Sequence, residues 1–199
     1  MRIETLDPAG YRRTPWKNGG GVTVDIAAEY APGAEPGGWT GMVWRFGRTR
    51  IERPGPFSDL TGYDRILTVI GGRGLVLRPE GHDPLDVREP FRPVRFPGEW
   101  AIESALEDEP VEVLNLMADR NAVEVGVAFL TGASDLPLAP GTWLLYAVAE
   151  TAVLIDERPL TLPRDGAAVL TCDAPLRITV AGAPLALASI LRRDAVAGR

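Results

Sequence analysis

The sequence has 199 residues, of which 45% are hydrophobic and 24% charged, so it can bury a sizeable core and is not generally disordered. Its formal net charge of -6 disfavours nucleic acid as a partner, because phosphate binding requires clustered positive charge. No stretch approaches the roughly 18 apolar residues of a membrane span, and residues 1–8 lack the apolar core of a signal peptide. We therefore expect a cytoplasmic protein that binds neither nucleic acid nor membrane.

Short apolar runs separated by 22 glycines and 18 prolines predict an all-β fold. Residues 22–26, 42–46 and 65–70 each alternate between two chemically distinct faces, as strands do. Weak helical periodicity occurs only near the chain ends, at 8–13 and 189–196.

A faint internal repeat suggests a duplicated β unit. Residues 66–77 resemble 144–155, since both read as strand, turn and strand. Apolar runs follow both segments at comparable distances, at 111–117 and 185–191. The spacing predicts two related barrels, at about 1–118 and 119–199, that share a core because no flexible Ser/Gly linker divides them. Coincidence among apolar strands is the alternative.

The loop Trp16-Lys17-Asn18-Gly19-Gly20-Gly21 is the first candidate for function. Lys17 is the only lysine among 21 basic residues, which suggests a need for a compact ammonium; chance survival on the surface is the alternative. The glycines allow a ligand to approach the main chain, or they form a strained turn with Trp16 packed beneath it. The loop is not a nucleotide-phosphate loop, because Lys17 precedes the glycines and a strand follows them.

Arg45, Arg65 and Asn115 each share a strand face with apolar residues. Buried polar groups need partners, so a barrel interior that holds them contains either an ion-pair network or a cavity for a polar ligand. A guanidinium suits a carboxylate, and Asn115 offers both a donor and an acceptor. In the alternative, the arginines pair with Asp25 or Glu112 and fix strand register.

The segment Gly55-Pro56-Phe57-Ser58 has the composition of a loop. Phe57 and Ser58 fit a loop that lines a pocket. Phe57 closing the end of a barrel is the alternative.

A metal centre is not expected, and neither is a cofactor. The chain has one histidine, His82, in a segment with turn composition, whereas cupin metal sites use several histidines. The same scarcity disfavours Ser-His-Asp and Cys-His catalysis, and we predict no catalytic residue. Cys172 lies between apolar residues and reads as a small core residue, and a single cysteine agrees with a reducing compartment.

Four segments, 11–23, 55–65, 96–99 and 114–117, resemble successive blocks of the HutD/Ves family in the same order. They span about 1–120, and the remainder is similar only in its general strand pattern. The sequence departs from the family at Val113, where an aspartate commonly stands two residues before Asn115. If that aspartate orients Lys17 or a ligand, this chain binds a different ligand or binds it more weakly.

The resemblance implies a bicupin, with two jelly-roll-like β-barrels in one chain. It also implies an association with histidine utilisation, a small acidic metabolite as ligand or a role in regulation, and a homodimer formed through exposed sheet edges. No established enzymatic activity accompanies it.

The leading functional prediction is a metal-independent protein that binds a small carboxylate metabolite, such as urocanate, formiminoglutamate or formylglutamate, and is linked to the regulation of histidine utilisation. The predicted contacts are Trp16, Lys17, Asn18, Gly19, Gly20, Arg45, Phe57, Ser58, Arg65 and Asn115. Two alternatives remain: a metal-free enzyme that uses Lys17 as base or Schiff-base former, and an interaction protein with a filled barrel.

Overall fold

The computed structural model describes residues 1–16, 19–108 and 110–193. Within these ranges the regular structure is β-strand, apart from a 3-10 turn at Pro8–Gly10, so the all-β prediction is confirmed. No helix in the described ranges is long and apolar enough to cross a membrane. The strands in chain order are β1 (Arg2–Leu6), β2 (Arg12–Pro15), β3 (Gly21–Tyr30), β4 (Met42–Ile51), β5 (Gly55–Pro56), β6 (Tyr63–Gly71), β7 (Leu75–Pro79), β8 (Leu85–Val87), β9 (Val94–Pro97), β10 (Ile102–Leu106), β11 (Val111–Asp119), β12 (Val123–Leu130), β13 (Ser134–Leu138), β14 (Gly141–Ala147), β15 (Thr151–Ile155), β16 (Arg158–Leu162), β17 (Ala167–Cys172), β18 (Leu176–Val180) and β19 (Leu185–Arg192).

The chain divides into two compact units, each made of two sheets. The N-terminal unit, Tyr11–Val123, has a six-stranded sheet of order β2-β3-β4-β11-β6-β9 and a four-stranded sheet of order β5-β10-β7-β8. The C-terminal unit, Glu124–Arg192 with Met1–Gly10, has a five-stranded sheet of order β1-β17-β14-β19-β12 and a four-stranded sheet of order β13-β18-β15-β16.

The two units repeat one strand order. In the N-terminal unit the neighbours run β4-β11-β6-β9 and β5-β10-β7-β8, and adding eight to each number gives β12-β19-β14-β17 and β13-β18-β15-β16 in the C-terminal unit. Two sheets of four strands connected in this order form a jelly roll. The segments 66–77 and 144–155 occupy matching places, on β6 and β7 and on β14 and β15.

Each unit has its own apolar core, and alternation along the strands forms it. In the N-terminal unit Leu67, Val69 and Val113 are buried in one cluster, while Leu145 and Leu187 are buried in the cluster of the C-terminal unit. Cys172 belongs to the latter cluster, which confirms its prediction as a core residue.

The structure corrects the weak helical expectations at the chain ends. Residues 8–13 form the 3-10 turn and the start of β2, and β19 continues to Arg192. Residues 194–199 lie outside the described residues. The first ten residues differ from the predicted division at 118/119, because β1 pairs with β17 along its whole length and therefore belongs with the C-terminal unit.

Candidate functional site

A cavity of about 610 Å³ opens within the N-terminal unit. Its floor is the six-stranded sheet. Its walls are the connection that precedes β4 and the connection that follows β5. The lining residues are Arg12, Thr14, Pro15, Trp16, Thr23, Gly37, Trp39, Arg45, Gly47, Thr49, Ile51, Pro56, Phe57, Ser58, Leu60, Arg65, Leu67, Val113, Asn115 and Met117.

The antiparallel register sets the polar residues of the floor in rows across the sheet. One row runs from Arg45 on β4 through Met117 on β11 to Arg65 on β6. The next row has Asn115 between Gly47 and Leu67. Residues two apart on a strand point to the same side of the sheet. Arg65 and Asn115, each predicted to share a strand face with apolar residues, therefore line the same cavity.

Arg45 is buried and paired. Its guanidinium Nε donates to Asp25 Oδ1 at 2.6 Å, and its Nη2 also contacts that carboxylate. Arg12 binds the other oxygen, with its Nη2 2.8 Å from Asp25 Oδ2. Trp39 lies over the Arg45 guanidinium at 5.1 Å. The expected alternative of an Arg45–Asp25 ion pair is thus what the structure shows, and it fixes β3 against β4.

Arg65 is also buried, with 6% of its surface exposed, but its environment is different. Its guanidinium carbon lies 4.8 Å from the ring centre of Phe57 and 5.2 Å from that of Phe96. The only hydrogen bond found for it in the described residues is a 3.5 Å contact from Nη1 to the carbonyl of Ser58, and its Nε has no acceptor there. Burial lowers the pKa of Arg65 to about 10, so the side chain carries its charge at neutral pH.

Asn115 has an unsatisfied acceptor. Its Oδ1 is shielded from solvent and accepts no hydrogen bond from the described residues. A buried amide oxygen without a donor is costly unless a ligand or water supplies one. With respect to the described part of the chain, the cavity floor therefore holds an unpaired donor, Arg65 Nε, and an unpaired acceptor, Asn115 Oδ1.

A hydroxyl row lies beside Asn115. The indole Nε1 of Trp16 donates to Thr23 Oγ1 at 2.9 Å, and Thr23 Oγ1 lies 3.2 Å from Thr49 Oγ1. Val113 continues this row and is 1% exposed, packed in the core of the unit. Where the resemblance to the HutD/Ves family implies an aspartate, this chain therefore has an apolar side chain in the cavity floor.

The loop between β2 and β3 reaches the cavity through Trp16. The backbone N–H of Trp16 donates to the Gly21 carbonyl at 2.9 Å. Gly19 has a φ of 67°, a backbone conformation that favours glycine. A Cβ on Gly21 would lie 2.4 Å from the Arg50 carbonyl oxygen, so β3 and β4 can approach here only with glycine. The Gly20 carbonyl accepts from the Glu52 N–H at 2.9 Å.

The loop that carries Phe57 and Ser58 packs against Gly98. Leu60 N–H donates to the Gly98 carbonyl at 2.9 Å, and a Cβ on Gly98 would lie 2.4 Å from the Leu60 carbonyl oxygen. Phe57 N–H donates to Ile102 O at 2.9 Å. The segments 55–65 and 96–99 thus meet at one wall of the cavity.

Six of the ten predicted contact residues line the cavity: Trp16, Arg45, Phe57, Ser58, Arg65 and Asn115. Gly19 and Gly20 are absent from the lining: the Gly19 N–H closes a turn on the Trp16 carbonyl, and the Gly20 carbonyl accepts from the Glu52 N–H. Lys17 and Asn18 lie outside the described residues.

Sequence reasoning missed several lining residues, among them Arg12, Thr23, Trp39 and Thr49. Thr23 lies between Val22 and Val24, so strand periodicity could have indicated it, whereas Thr49 lies between Arg48 and Arg50 and shows no such pattern. Arg12 and Trp39 reach the cavity through cross-strand pairing and a long connection, which leave no local signal.

In the described ranges, no group of three or more His, Cys, Asp or Glu side chains is placed to hold a metal ion. His82 is exposed in a bend, as its composition predicts, and stacks on Trp100 with ring centres 4.2 Å apart. Neither residue lines the cavity.

Comparison with known proteins identifies the family. The HutD family model matches residues 8–187, which is most of the 199-residue chain. This chain belongs to the HutD family. A Pseudomonas putida relative, an uncharacterised 21.2 kDa protein in the hutC 3′ region, is 32% identical over 148 residues, covering 74% of this chain and 75% of that protein.

Solved structures share the fold of this HutD-family chain. HutD from Pseudomonas fluorescens SBW25, in a formate condition, has a TM-score of 0.82 at 28% identity, over 97% of this chain and 100% of that one. The Escherichia coli pirin YhhW, in complex with nickel(II), has a TM-score of 0.60 at 8% identity, over 97% of this chain and 100% of that one. At that identity the likeness to pirin shows the fold alone.

Proposed function

We propose that this HutD-family protein binds a small carboxylate-bearing metabolite in the cavity of its N-terminal unit. The observation that carries the proposal is Arg65, a buried guanidinium that faces the cavity and has no carboxylate partner among the described residues. Desolvating a charge is costly, and an anionic ligand would offset that cost.

Arg65 differs from Arg45 in having no carboxylate partner among the described residues. Arg45 and Arg12 share the Asp25 carboxylate, so their charges are already engaged. Arg65 instead lies against two aromatic rings, which stabilise its charge without occupying its N–H donors in the ring plane. Its planar donor set fits a carboxylate through two parallel hydrogen bonds.

The link to histidine utilisation rests on relatives. The Pseudomonas putida relative lies in the hutC 3′ region, and a solved relative is a HutD protein. We therefore propose urocanate, formiminoglutamate or formylglutamate as the class of ligand and regulation of histidine utilisation as the role. The Pseudomonas fluorescens structure, in a formate condition, suggests formate as the smallest carboxylate to test.

Isothermal titration of the protein with urocanate, formiminoglutamate, formylglutamate and formate tests the proposal. We expect saturable heat with at least one of the three metabolites, and loss of that heat in Arg65→Met. Arg73→Met is the matched control, because it removes the same charge from a side chain that is 78% exposed and outside the cavity lining. No heat with any of them, from folded protein, would refute the metabolite assignment.

The use of Lys17 as a base or Schiff-base former stays a prediction, since Lys17 lies outside the described residues. Borohydride trapping with carbonyl metabolites distinguishes it from simple binding. A covalent adduct on Lys17, located by peptide mass spectrometry, would favour the enzyme, whereas reversible binding without adduct favours the binding protein.

A further inference from the structure

The cavity floor presents two unsatisfied groups of opposite kind. Arg65 Nε is a donor without an acceptor, and Asn115 Oδ1 is an acceptor without a donor, among the described residues. A carboxylate alone can satisfy Arg65, because an ionised carboxylate only accepts hydrogen bonds. It leaves the Asn115 oxygen unpaired.

The strand register brings these two groups within reach of one ligand. Asn115 stands opposite Leu67, and Arg65 stands opposite Met117, so Arg65 and Asn115 are diagonal neighbours on β6 and β11. Diagonal positions on one sheet face are about 7–8 Å apart at the backbone, which long side chains span. Both side chains line the same cavity.

The donor that faces Asn115 is expected to be neutral. Among the described residues, three guanidiniums line the cavity, those of Arg12, Arg45 and Arg65, and no carboxylate does. Asp25, which pairs with two of these arginines, already accepts hydrogen bonds from Arg12 and Arg45. An ammonium group would therefore meet an excess of positive charge.

Taken with the carboxylate site proposed above, on which this step rests, we infer that the ligand is a carboxylate whose neighbouring carbon carries a neutral N–H donor, as in an N-acyl α-amino acid. The carboxylate binds Arg65, and the amide N–H donates to Asn115 Oδ1. The apolar lining from Leu67, Val113 and Met117 accommodates the carbon skeleton.

Three matched probes test this inference by calorimetry: N-acetylglycine, acetoxyacetate and glycine. The first two have the same shape and charge, and differ only in an amide N–H or an ester oxygen. Leaving a buried acceptor unpaired weakens binding by about 5- to 150-fold, so we expect N-acetylglycine to bind tighter than acetoxyacetate by that factor. Glycine, with an ammonium group, is expected to bind more weakly than N-acetylglycine.

Asn115→Leu removes the acceptor while keeping a side chain of similar size. In that variant the preference for N-acetylglycine over acetoxyacetate should disappear, with the affinity for acetoxyacetate retained. The wild-type comparison needs no variant, so the test stands even if Asn115→Leu does not fold.

Equal affinity for the amide and the ester, or tighter binding of the ester or of glycine, would overturn this inference and leave the carboxylate site in place. If no probe binds at millimolar concentration, and the three histidine-pathway metabolites do not bind either, the carboxylate site fails and the inference fails with it. Persistence of the amide preference in folded Asn115→Leu would show that another group accepts the N–H.

Discussion

The N-terminal and C-terminal units share a strand order, yet one contains a polar cavity and the corresponding positions of the other are filled. Arg65 on β6 lies opposite Met117, and Trp143 occupies the matching place on β14, opposite Ser189. Asn115 lies opposite Leu67, and its counterpart Leu187 lies opposite Leu145. The two groups left unsatisfied in one unit thus correspond to apolar side chains in the other.

This difference separates what the jelly roll needs from what the cavity adds. Leu145 and Leu187 are buried in one apolar core, with Trp143 packed against it. At the matching positions of the N-terminal unit, a charged side chain and an amide side chain, Arg65 and Asn115, replace apolar ones. Burial of these polar groups destabilises the unit unless a ligand forms hydrogen bonds with them. A fold can hold its shape without these residues, so their presence points to function.

Removing the charge of Arg65 tests the comparison most strongly. Arg65→Met makes the N-terminal unit resemble the apolar one and removes the proposed partner of the carboxylate. We expect the binding free energy for the best carboxylate to fall by about 2–5 kcal/mol, because one partner of a buried charge pair is lost. Calorimetry measures the loss, and unchanged affinity in folded protein would contradict the assignment.

Exchanging the amide and the leucine between units tests the core side of the comparison. Leu187→Asn places an amide in the filled core, and we expect it to lower the free energy of unfolding by about 2–5 kcal/mol. The reverse change, Asn115→Leu, enters an open cavity and should alter that free energy by less than about 1.5 kcal/mol. Urea denaturation followed by tryptophan fluorescence checks both, and equal losses would mean that the units tolerate polar groups alike.

Arg45→Met and Arg65→Met should differ in their effect on the free energy of unfolding. Arg45→Met leaves Asp25, which is 14% exposed, with Arg12 as its one remaining ion-pair partner in the described ranges, and we expect a loss of about 1–3 kcal/mol in the free energy of unfolding. Arg65→Met strands no acid among the described residues and should not reduce stability by that amount. The same denaturation experiment decides, and a larger loss for Arg65→Met would assign Arg65 a structural role.

A substitution at the mouth of the cavity, Trp39→Ala, should have the smallest effect on binding and stability. Trp39 is 45% exposed and lies 5.1 Å from the Arg45 guanidinium, and its backbone carbonyl accepts from the Tyr63 hydroxyl at 3.1 Å. Trp39→Ala removes a cation–π contact worth about 0.5–1 kcal/mol and widens the opening. We expect faster ligand dissociation, measured by stopped flow, with little change in stability; slower dissociation would contradict a role at the mouth.

Local alternation was sufficient to predict the β-strands and to place Arg45, Arg65 and Asn115 on inward faces, because side-chain direction in a strand depends only on parity. It could not decide which arginine has a partner, since the pairing of Arg45 with Asp25 depends on the register between β3 and β4. The pairing of β1 with β17 joins segments more than 160 residues apart and leaves no local pattern. The contribution of Trp39 likewise depends on the tertiary path of a long connection.

Nuclear magnetic resonance of the arginine Nε–Hε groups during titration with formylglutamate tests the central claim most directly. The Arg65 signal is identified as the one missing from the spectrum of Arg65→Met. If the cavity binds a carboxylate through Arg65, this signal shifts with saturable dependence on ligand concentration while the Arg73 signal does not. A saturable shift of other arginine signals with the Arg65 signal unmoved would contradict the account.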